Sequence, residues 1–360
     1  MRNTTQLYGR GVLSIVSLSV NVSTIQIARV LMSRTIVVTG IAGQDGSYLT
    51  ELCLNYGFKV HGFVRRTSSL KRERLDSFSQ RYISEGNLQL HYVDLCDTFS
   101  IHQLLVKIQP SFIFNLAAQS HVGISFDLPR ETIQSTGLGI LSLLEAVRHL
   151  DSEVTIYQAG SSEMFGGMLG RSKLNESSGF FPKSPYGAAK VLAHNLGILY
   201  RDGYGMDIRN GILFNHESPR RGENFVSRKI TLSAARIHYG IQRKVALGNL
   251  EARRDWGHAK DYVEAMLKIV LHKEADDFVI ATGQMYTVSD FAEKVFNKLN
   301  LNYRDYVEKD ERLFRPNEVD DLLGDARKAH EILGWSSQTT FDELIEDMLE
   351  SDLKLVRDSI

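Results

Sequence analysis

Arg34-Thr35-Ile36-Val37-Val38-Thr39-Gly40-Ile41-Ala42-Gly43-Gln44-Asp45-Gly46 reads as a β-branched strand running into a glycine turn. An amphipathic segment from Ser47 to Asn55 follows, stopped by Tyr56-Gly57. Strand, glycine turn and helix in that order form the context of a dinucleotide fingerprint, here spaced G-x-x-G-x-x-G. Gly40 allows the tight turn. Gly43 lets backbone N–H groups approach a pyrophosphate at the helix start, and Gly46 lets the helix pack on the strand. The bland alternative is a glycine-rich loop with no ligand.

The next strand, Lys59 to Val64, ends in Arg65-Arg66-Thr67-Ser68. An NAD site places an Asp or Glu here for the ribose 2′-hydroxyl. Two guanidiniums and two hydroxyls suit a 2′-phosphate instead, because Arg binds phosphate in bidentate fashion. NADP is therefore the expected cofactor, with a solvated basic loop as the alternative. Further strands are expected at Leu88–Val93, Ser111–Leu116 and Val154–Gln158. Their ends deliver Asp94-Leu95, then Leu116-Ala117-Ala118-Gln119-Ser120, then Ser161 and Glu163. Ligands of parallel α/β sheets gather at these carboxyl ends.

Ser184-Pro185 is a helix-start signal, and Tyr186 and Lys190 follow it four residues apart on one helix face. An ammonium there is expected to lower the phenol's pKa towards neutrality, with Ser161 bridging to a substrate oxygen. Such a set moves hydride to and from a carbinol. The extra carboxylate, Glu163, points to a second step that a plain alcohol dehydrogenase does not need. Taken singly, each residue has an ordinary structural role: a core tyrosine, a solvated lysine, a helix-cap acid. Their joint spacing within a complete cofactor fingerprint favours chemistry.

With those runs in place, the chain resembles the extended short-chain dehydrogenase/reductases, and more narrowly the GDP-mannose 4,6-dehydratase family. The runs Ser162-Glu-Met-Phe-Gly166, Asn210-Gly-Ile-Leu-Phe-Asn-His-Glu-Ser-Pro-Arg-Arg-Gly222, Arg254-Asp-Trp-Gly-His-Ala-Lys-Asp-Tyr-Val263 and Arg315-Pro-Asn-Glu-Val-Asp320 carry the narrower likeness. It extends from about Arg34 to about Leu349. The resemblance implies that Tyr186, tuned by Lys190, takes the C4 hydroxyl proton. Glu163 removes the C5 proton, water leaves C6 with help from Ser161 or Glu163, and the stored hydride returns to C6. It also implies cofactor contacts at His216 and Arg221. GDP-sugar contacts are implied at Asn215, Arg254, Arg315 and Glu318, in a homo-oligomer (dimer or tetramer). Three departures stand out. Ser161 is Thr in many relatives, and Glu131 replaces a Tyr near the cofactor. The loop Gly167–Gly179 is slightly longer, which leaves hexose against heptose open. A nucleotide-sugar reductase or epimerase would not need Glu163, and a non-catalytic NADP sensor would not need Tyr186 with Lys190.

A chain of 360 residues is long enough for one large α/β domain and a smaller lobe. The fold class expected is a doubly wound parallel sheet over residues 34–214, with a return segment near 256–271. A mainly substrate-binding lobe is expected over 215–360, so the lobes interleave. Helices are expected at Phe225–Tyr239, Asp290–Leu299 and Thr340–Leu353. A formal net charge of −1 gives no case for nucleic acid or acidic membranes. The two cysteines, Cys53 and Cys96, fit reduced cytosolic thiols rather than a disulfide or metal site. Residues 1–33 carry no acid, the first being Asp45. The apolar stretch Gly11–Val20 is too short and too Ser-rich to span a membrane. An over-extended start ahead of Met32 is the favoured reading and a targeting segment the alternative. A cytoplasmic enzyme is expected, and the Asn-x-Ser/Thr triplets at Asn3 and Asn21 carry no meaning.

Overall fold

The protein, seen as a computed structural model, is described over residues 34–65, 73–167 and 172–360. The N-terminal extension, Arg66, Thr67 and Ser68, and part of the Gly167–Gly179 loop lie outside the described residues. Strands β1 (Thr35–Thr39), β2 (Lys59–Val64), β3 (Leu88–Tyr92), β4 (Phe112–Asn115), β5 (Thr155–Ala159), β6 (Ile208–Leu213) and β7 (Phe278–Ile280) form one sheet. Its order is β7-β6-β5-β4-β1-β2-β3, and every pairing is parallel. The chain reverses winding direction between β1 and β4, so a crevice opens at their carboxyl ends. This is the doubly wound sheet expected from the strand–helix alternation.

Both faces of the sheet are covered, which is why its strands read as near-continuous apolar runs. On one face Ile36, Val38 and Phe114 pack with helix α1 (Gln44–Asn55) and with the later helix α9 (Ala259–Leu271). On the other, Val37, Ile113 and Ile156 pack with α3 (Thr98–Ile108), α6 (Gly139–Arg148) and α7 (Pro185–Tyr204). A separate core lies outside the sheet. There Trp256, Phe291, Phe341 and Met348 gather helices α8 (Val226–His238), α10 (Val288–Asn297) and α12 (Phe341–Arg357). Helices α10 and α12 both begin with a full capping box, Thr287 with Asp290 and Thr340 with Glu343.

Buried polar groups fix the crevice. Thr39 Oγ1 donates to Asn115 Oδ1 at 2.7 Å and accepts from the amides of Leu116 (3.1 Å) and Ala117 (3.0 Å). Asn115 Nδ2 donates in turn to Gln158 Oε1 at 2.7 Å. Three adjacent strand ends are thereby held in register by side chains that have no water to bond instead. Ahead of α6 the helical ladder widens into a π-type stretch, Ile133–Leu138. It presents Thr136 Oγ1 to the amide of Gln119 at 3.1 Å. No helix among the described residues is long and apolar enough to cross a membrane.

Candidate active site

The glycine turn behaves as its spacing predicts. Gly40 has φ +67°, and a Cβ there would stand 2.9 Å from Ala117 Cα. A Cβ on Gly46 would lie 2.4 Å from the Gly40 carbonyl oxygen and 2.7 Å from Ile41 Cα. Gly43 caps α1 in extended geometry, and its N–H donates to Gly40 O at 2.9 Å. The glycine turn ahead of α1 therefore opens onto a cleft of about 1160 Å³.

That cleft gathers most of the residues singled out in the sequence. Gly40, Ala42, Gly43, Gln44, Asp45 and Gly46 line its floor. Arg65, Asp94 and Leu95 line the end under β2 and β3, and Leu116 to Ser120 form the wall beyond β4. Ser161, Glu163, Tyr186, Lys190, Asn215, His216, Arg221 and Arg315 complete it. Ile41 does not line the cleft with its side chain, which is fully buried in the sheet core. Arg254 and Glu318 stand behind the cleft wall. Arg254 is 5 % exposed and bonds to the carbonyls of Arg253 and Asp320. Its guanidinium lies 3.8 Å from Glu318, which in turn sits 3.9 Å from Arg315 Nε.

The site can hold a dinucleotide. Its glycine cradle leaves space where a Cβ would intrude. Gln119 Oε1 and Asn215 Oδ1 are buried beside the cleft without a hydrogen-bond partner among the described residues. Buried acceptors of that kind are costly unless something donates to them. Arg65 extends largely into solvent, with Nη1 3.4 Å from Glu131 Oε1. Glu131, which departs from the expected Tyr, thus faces the cation at the end of β2.

The chemical groups meet at the opposite end. Ser161 caps a 3₁₀ turn, Ser162–Met164, by accepting from Glu163 N at 3.3 Å. This turn presents Glu163, which is 7 % exposed and receives Arg315 Nη1 at 3.3 Å. Ser184 caps α7 through the Gly187 amide at 3.0 Å, placing Tyr186 and Lys190 on its buried face. Lys190 Nζ donates to Ala159 O at 2.8 Å and lies 5.8 Å from the Tyr186 ring centre. Burial brings the ammonium down to about 8, with the Asp45 charge opposing that fall. Burial also pushes the Tyr186 phenol up to about 12, while its hydrogen bond with Ser161 pulls the other way. The resting phenol is therefore not near neutrality as expected from its lysine neighbour. Desolvation dominates, the Lys190 ammonium standing 5.8 Å from the ring centre and directed at Ala159 O.

Two lining residues carried no readable signal. Lys229 projects from α8 with no ion pair or hydrogen bond among the described residues, and burial lowers its pKa. A lone lysine on an amphipathic helix reads as solvated. His121 lines the cleft from the start of helix α4 (Val122–Asp127).

Comparison with known proteins agrees with this geometry. The sequence profile of the family described as GDP-mannose 4,6 dehydratase matches residues 37–348. The GDP-mannose 4,6 dehydratase 2 of Arabidopsis thaliana is 49% identical over 327 residues, 89% of this chain and 87% of that protein. The human GDP-mannose 4,6 dehydratase is 44% identical over 343 residues, 89% of this chain and 92% of its own. DesIV, a dTDP-glucose 4,6-dehydratase from Streptomyces venezuelae solved with NAD and TYD bound, superposes with a TM-score of 0.78. At 20% identity, over 90% of this chain and 97% of that one, it shares the fold alone. On the profile match and these sequence relatives, the chain belongs to the GDP-mannose 4,6-dehydratase family.

Proposed function

We propose that the protein is an NADP-dependent hydro-lyase converting GDP-mannose to GDP-4-keto-6-deoxymannose. The observation that carries this reading is the meeting of Ser161, Glu163, Tyr186 and Lys190 in one cleft beside the glycine turn. A bound oxidised nicotinamide would supply the hydride acceptor. With the Lys190 ammonium nearby, Tyr186 as its phenolate, its own proton having passed to solvent, takes the proton of the C4 hydroxyl. Ser161 relays it. A ketone at C4 acidifies C5–H, and Glu163 removes that proton. Loss of the C6 hydroxyl as water follows, with Ser161 or Glu163 delivering the proton to the leaving oxygen. Return of the hydride to C6 with a proton to C5 then completes the 4-keto-6-deoxy sugar, so no net redox occurs. Arg315 holds the Glu163 carboxylate in place between the two steps.

Arg65 at the end of β2, where an NAD site has an acid, supports NADP. Lys229, Asn215 and Arg315 supply cationic and amide groups suited to a nucleoside diphosphate-sugar. Exposed Leu192, Leu199 and Tyr204 on α7 support a homo-oligomer, dimer or tetramer, working in the cytoplasm. Incubating the pure protein with GDP-mannose, and in parallel with GDP-mannoheptose, without added reductant tests the reading. A 4-keto-6-deoxy product by NMR is expected from the hexose. Its absence with both sugars would overturn the assignment, and product from the heptose alone would move it to that substrate.

A further inference from the structure

His121 joins the two sides of the cleft. Its Nδ1 accepts from the Ile124 amide at 3.1 Å, capping helix α4. Its Nε2 lies 3.3 Å from the carbonyl oxygen of Asn224. A ring that accepts at Nδ1 and faces a carbonyl at Nε2 is neutral, with its proton on Nε2. The first bond belongs to the loop leaving β4, which borders the cofactor cradle. The second belongs to the loop entering α8, which roofs the sugar end.

That roof is braced on its far side. Phe225 tilts against the His121 ring, centres 5.2 Å apart, and carries the Arg221 guanidinium 3.7 Å from its own centre. Arg221 Nε lies 2.9 Å from Glu217 Oε2, which also accepts from Ser227 Oγ at 2.5 Å. The brace runs Glu217, Arg221, Phe225, His121, and His121 fastens it to the cofactor side. We propose that His121 is a positioning residue that keeps this roof closed over the sugar between oxidation and hydride return, so that the 4-keto intermediate stays bound. The inference rests on the dehydratase reading, in which a 4-keto hexose waits while its hydride is held by the enzyme. Release at that stage would strand one reduced cofactor per sugar lost.

Protonation should open the clasp, because a protonated Nδ1 donates and cannot accept from Ile124 N. The charged groups facing the ring are Arg315 and Arg221, both cations. Burial holds its pKa below the usual histidine value, the bond to Asn224 O opposing the fall and these guanidiniums adding to it. Leakage should therefore appear only on the acid side of neutrality.

The test uses the full protein loaded with NADP and GDP-mannose. Sugar released into the filtrate is trapped with borodeuteride, which marks every 4-ketone by deuterium at C4, the leaked hexose being told from the 6-deoxy product by its C6 hydroxyl, and reduced nicotinamide on the protein is read by absorbance. His121→Ala, which removes both bonds, should raise the share of turnovers ending in released 4-keto hexose by about tenfold, matched one for one by reduced cofactor. His121→Gln, which keeps a donor and an acceptor, should stay near wild type. Wild type should leak more as the pH falls below the ordinary histidine value, and the Gln variant should not. An Ala variant that is merely slower, with coupling intact, overturns the proposal. Should that variant fail to fold, unchanged coupling of wild type in acid overturns it equally. Failure of wild type to form any 4-keto-6-deoxy product would instead count against the dehydratase reading itself.

Discussion

Asp45 Oδ2 and His216 Nε2 meet at 2.9 Å across the cleft although 171 positions separate them in the chain. His216 Nδ1 bonds to Phe214 O at 2.7 Å, and its ring stacks on Tyr262 with centres 4.6 Å apart. Gln44 adds two bonds to the same segment, donating to His216 O at 3.0 Å and accepting from Ser218 Oγ at 2.8 Å. The glycine turn is thereby tied to the segment that carries Asn215 and Arg221. Burial would raise the Asp45 carboxyl, but the His216 charge and hydrogen bond outweigh it and bring the group down to about 2. Burial would likewise lower His216, and Asp45 reverses that to a net rise.

The pair should leave a signature in stability against pH. Asp45's contribution is complete above its ordinary 3.8 and is lost as the pH falls towards about 2. His216's contribution is complete below its ordinary 6.5 and is lost as the pH rises through its elevated folded value. Asp45→Asn should therefore cost on the order of 2 kcal/mol between those limits, and less on either side. Denaturant unfolding of the cofactor-free protein across pH measures it. A cost that does not change with pH would show that the pair is not ionised.

Gly46→Ala tests the cradle. A methyl there meets the Gly40 carbonyl oxygen and the Ile41 backbone, neither of which is the end of a flexible side chain. Expected is a loss of about 1–3 kcal/mol in stability, with weaker NADP binding as the turn is pushed open. Thermal unfolding and fluorescence titration read the two effects. Unchanged cofactor affinity would mean that the turn does not hold the pyrophosphate.

Glu163→Gln should split the reaction. The amide keeps a hydrogen-bonding shape opposite Arg315 Nη1, which lies 3.3 Å from the native carboxylate, but it cannot accept the C5 proton. Turnover should fall by about 10²–10⁴-fold, while oxidation at C4 still builds enzyme-bound NADPH on mixing. Normal dehydration by this variant would remove Glu163 from the role of base.

Cofactor choice should follow the basic pair. Arg65→Ala with Arg66→Ala should weaken NADP much more than NAD, by about 1–3 kcal/mol for each charge-assisted bond lost. Arg65 is partnered by Glu131 in an exposed contact, their side chains 72% and 48% accessible. Such a pair is worth little and yields readily to a phosphate. Equal losses for the two cofactors would show that the arginines do not read the 2′-phosphate.

Local chemistry explains which of these features could be read in advance. The turn at Gly40–Gly46, the cap at Ser184 and the residue sets at strand ends depend on neighbours in sequence, so spacing discloses them. Strand limits moved by only a residue or so, as at β5, expected to start at Val154 and observed at Thr155. The Asp45–His216 tie, the brace through Phe225 and the exposure of Lys229 to the cleft arise when distant segments meet. Nothing local marks them. The Tyr186 phenol departs from expectation for the same reason: helix spacing places Lys190 beside it, whereas its burial and the lysine's bond to the Ala159 carbonyl come from the tertiary fold.

The path of the hydride separates a lyase from a reductase most directly. Tyr186, Ser161 and Glu163 line the same cleft, so oxidation at C4 and proton removal at C5 can proceed without the sugar leaving. A hydride taken from C4 has one acceptor and, once C6 has lost water, one place to return. Deuterium at C4 of the substrate should therefore reappear at C6 of the same product molecule. In deuterated water one solvent deuteron should enter at C5, because the carboxyl of Glu163 exchanges before it gives the proton back. Doubly labelled and unlabelled substrate mixed together should yield no crossed product, as measured by mass spectrometry. NADPH in solution should be neither consumed nor formed over many turnovers. Stoichiometric NADPH consumption would place the protein among the reductases. Loss of the C4 label to free cofactor would show that the hydride leaves the cleft, and with it the argument that one closed site performs both halves of the reaction.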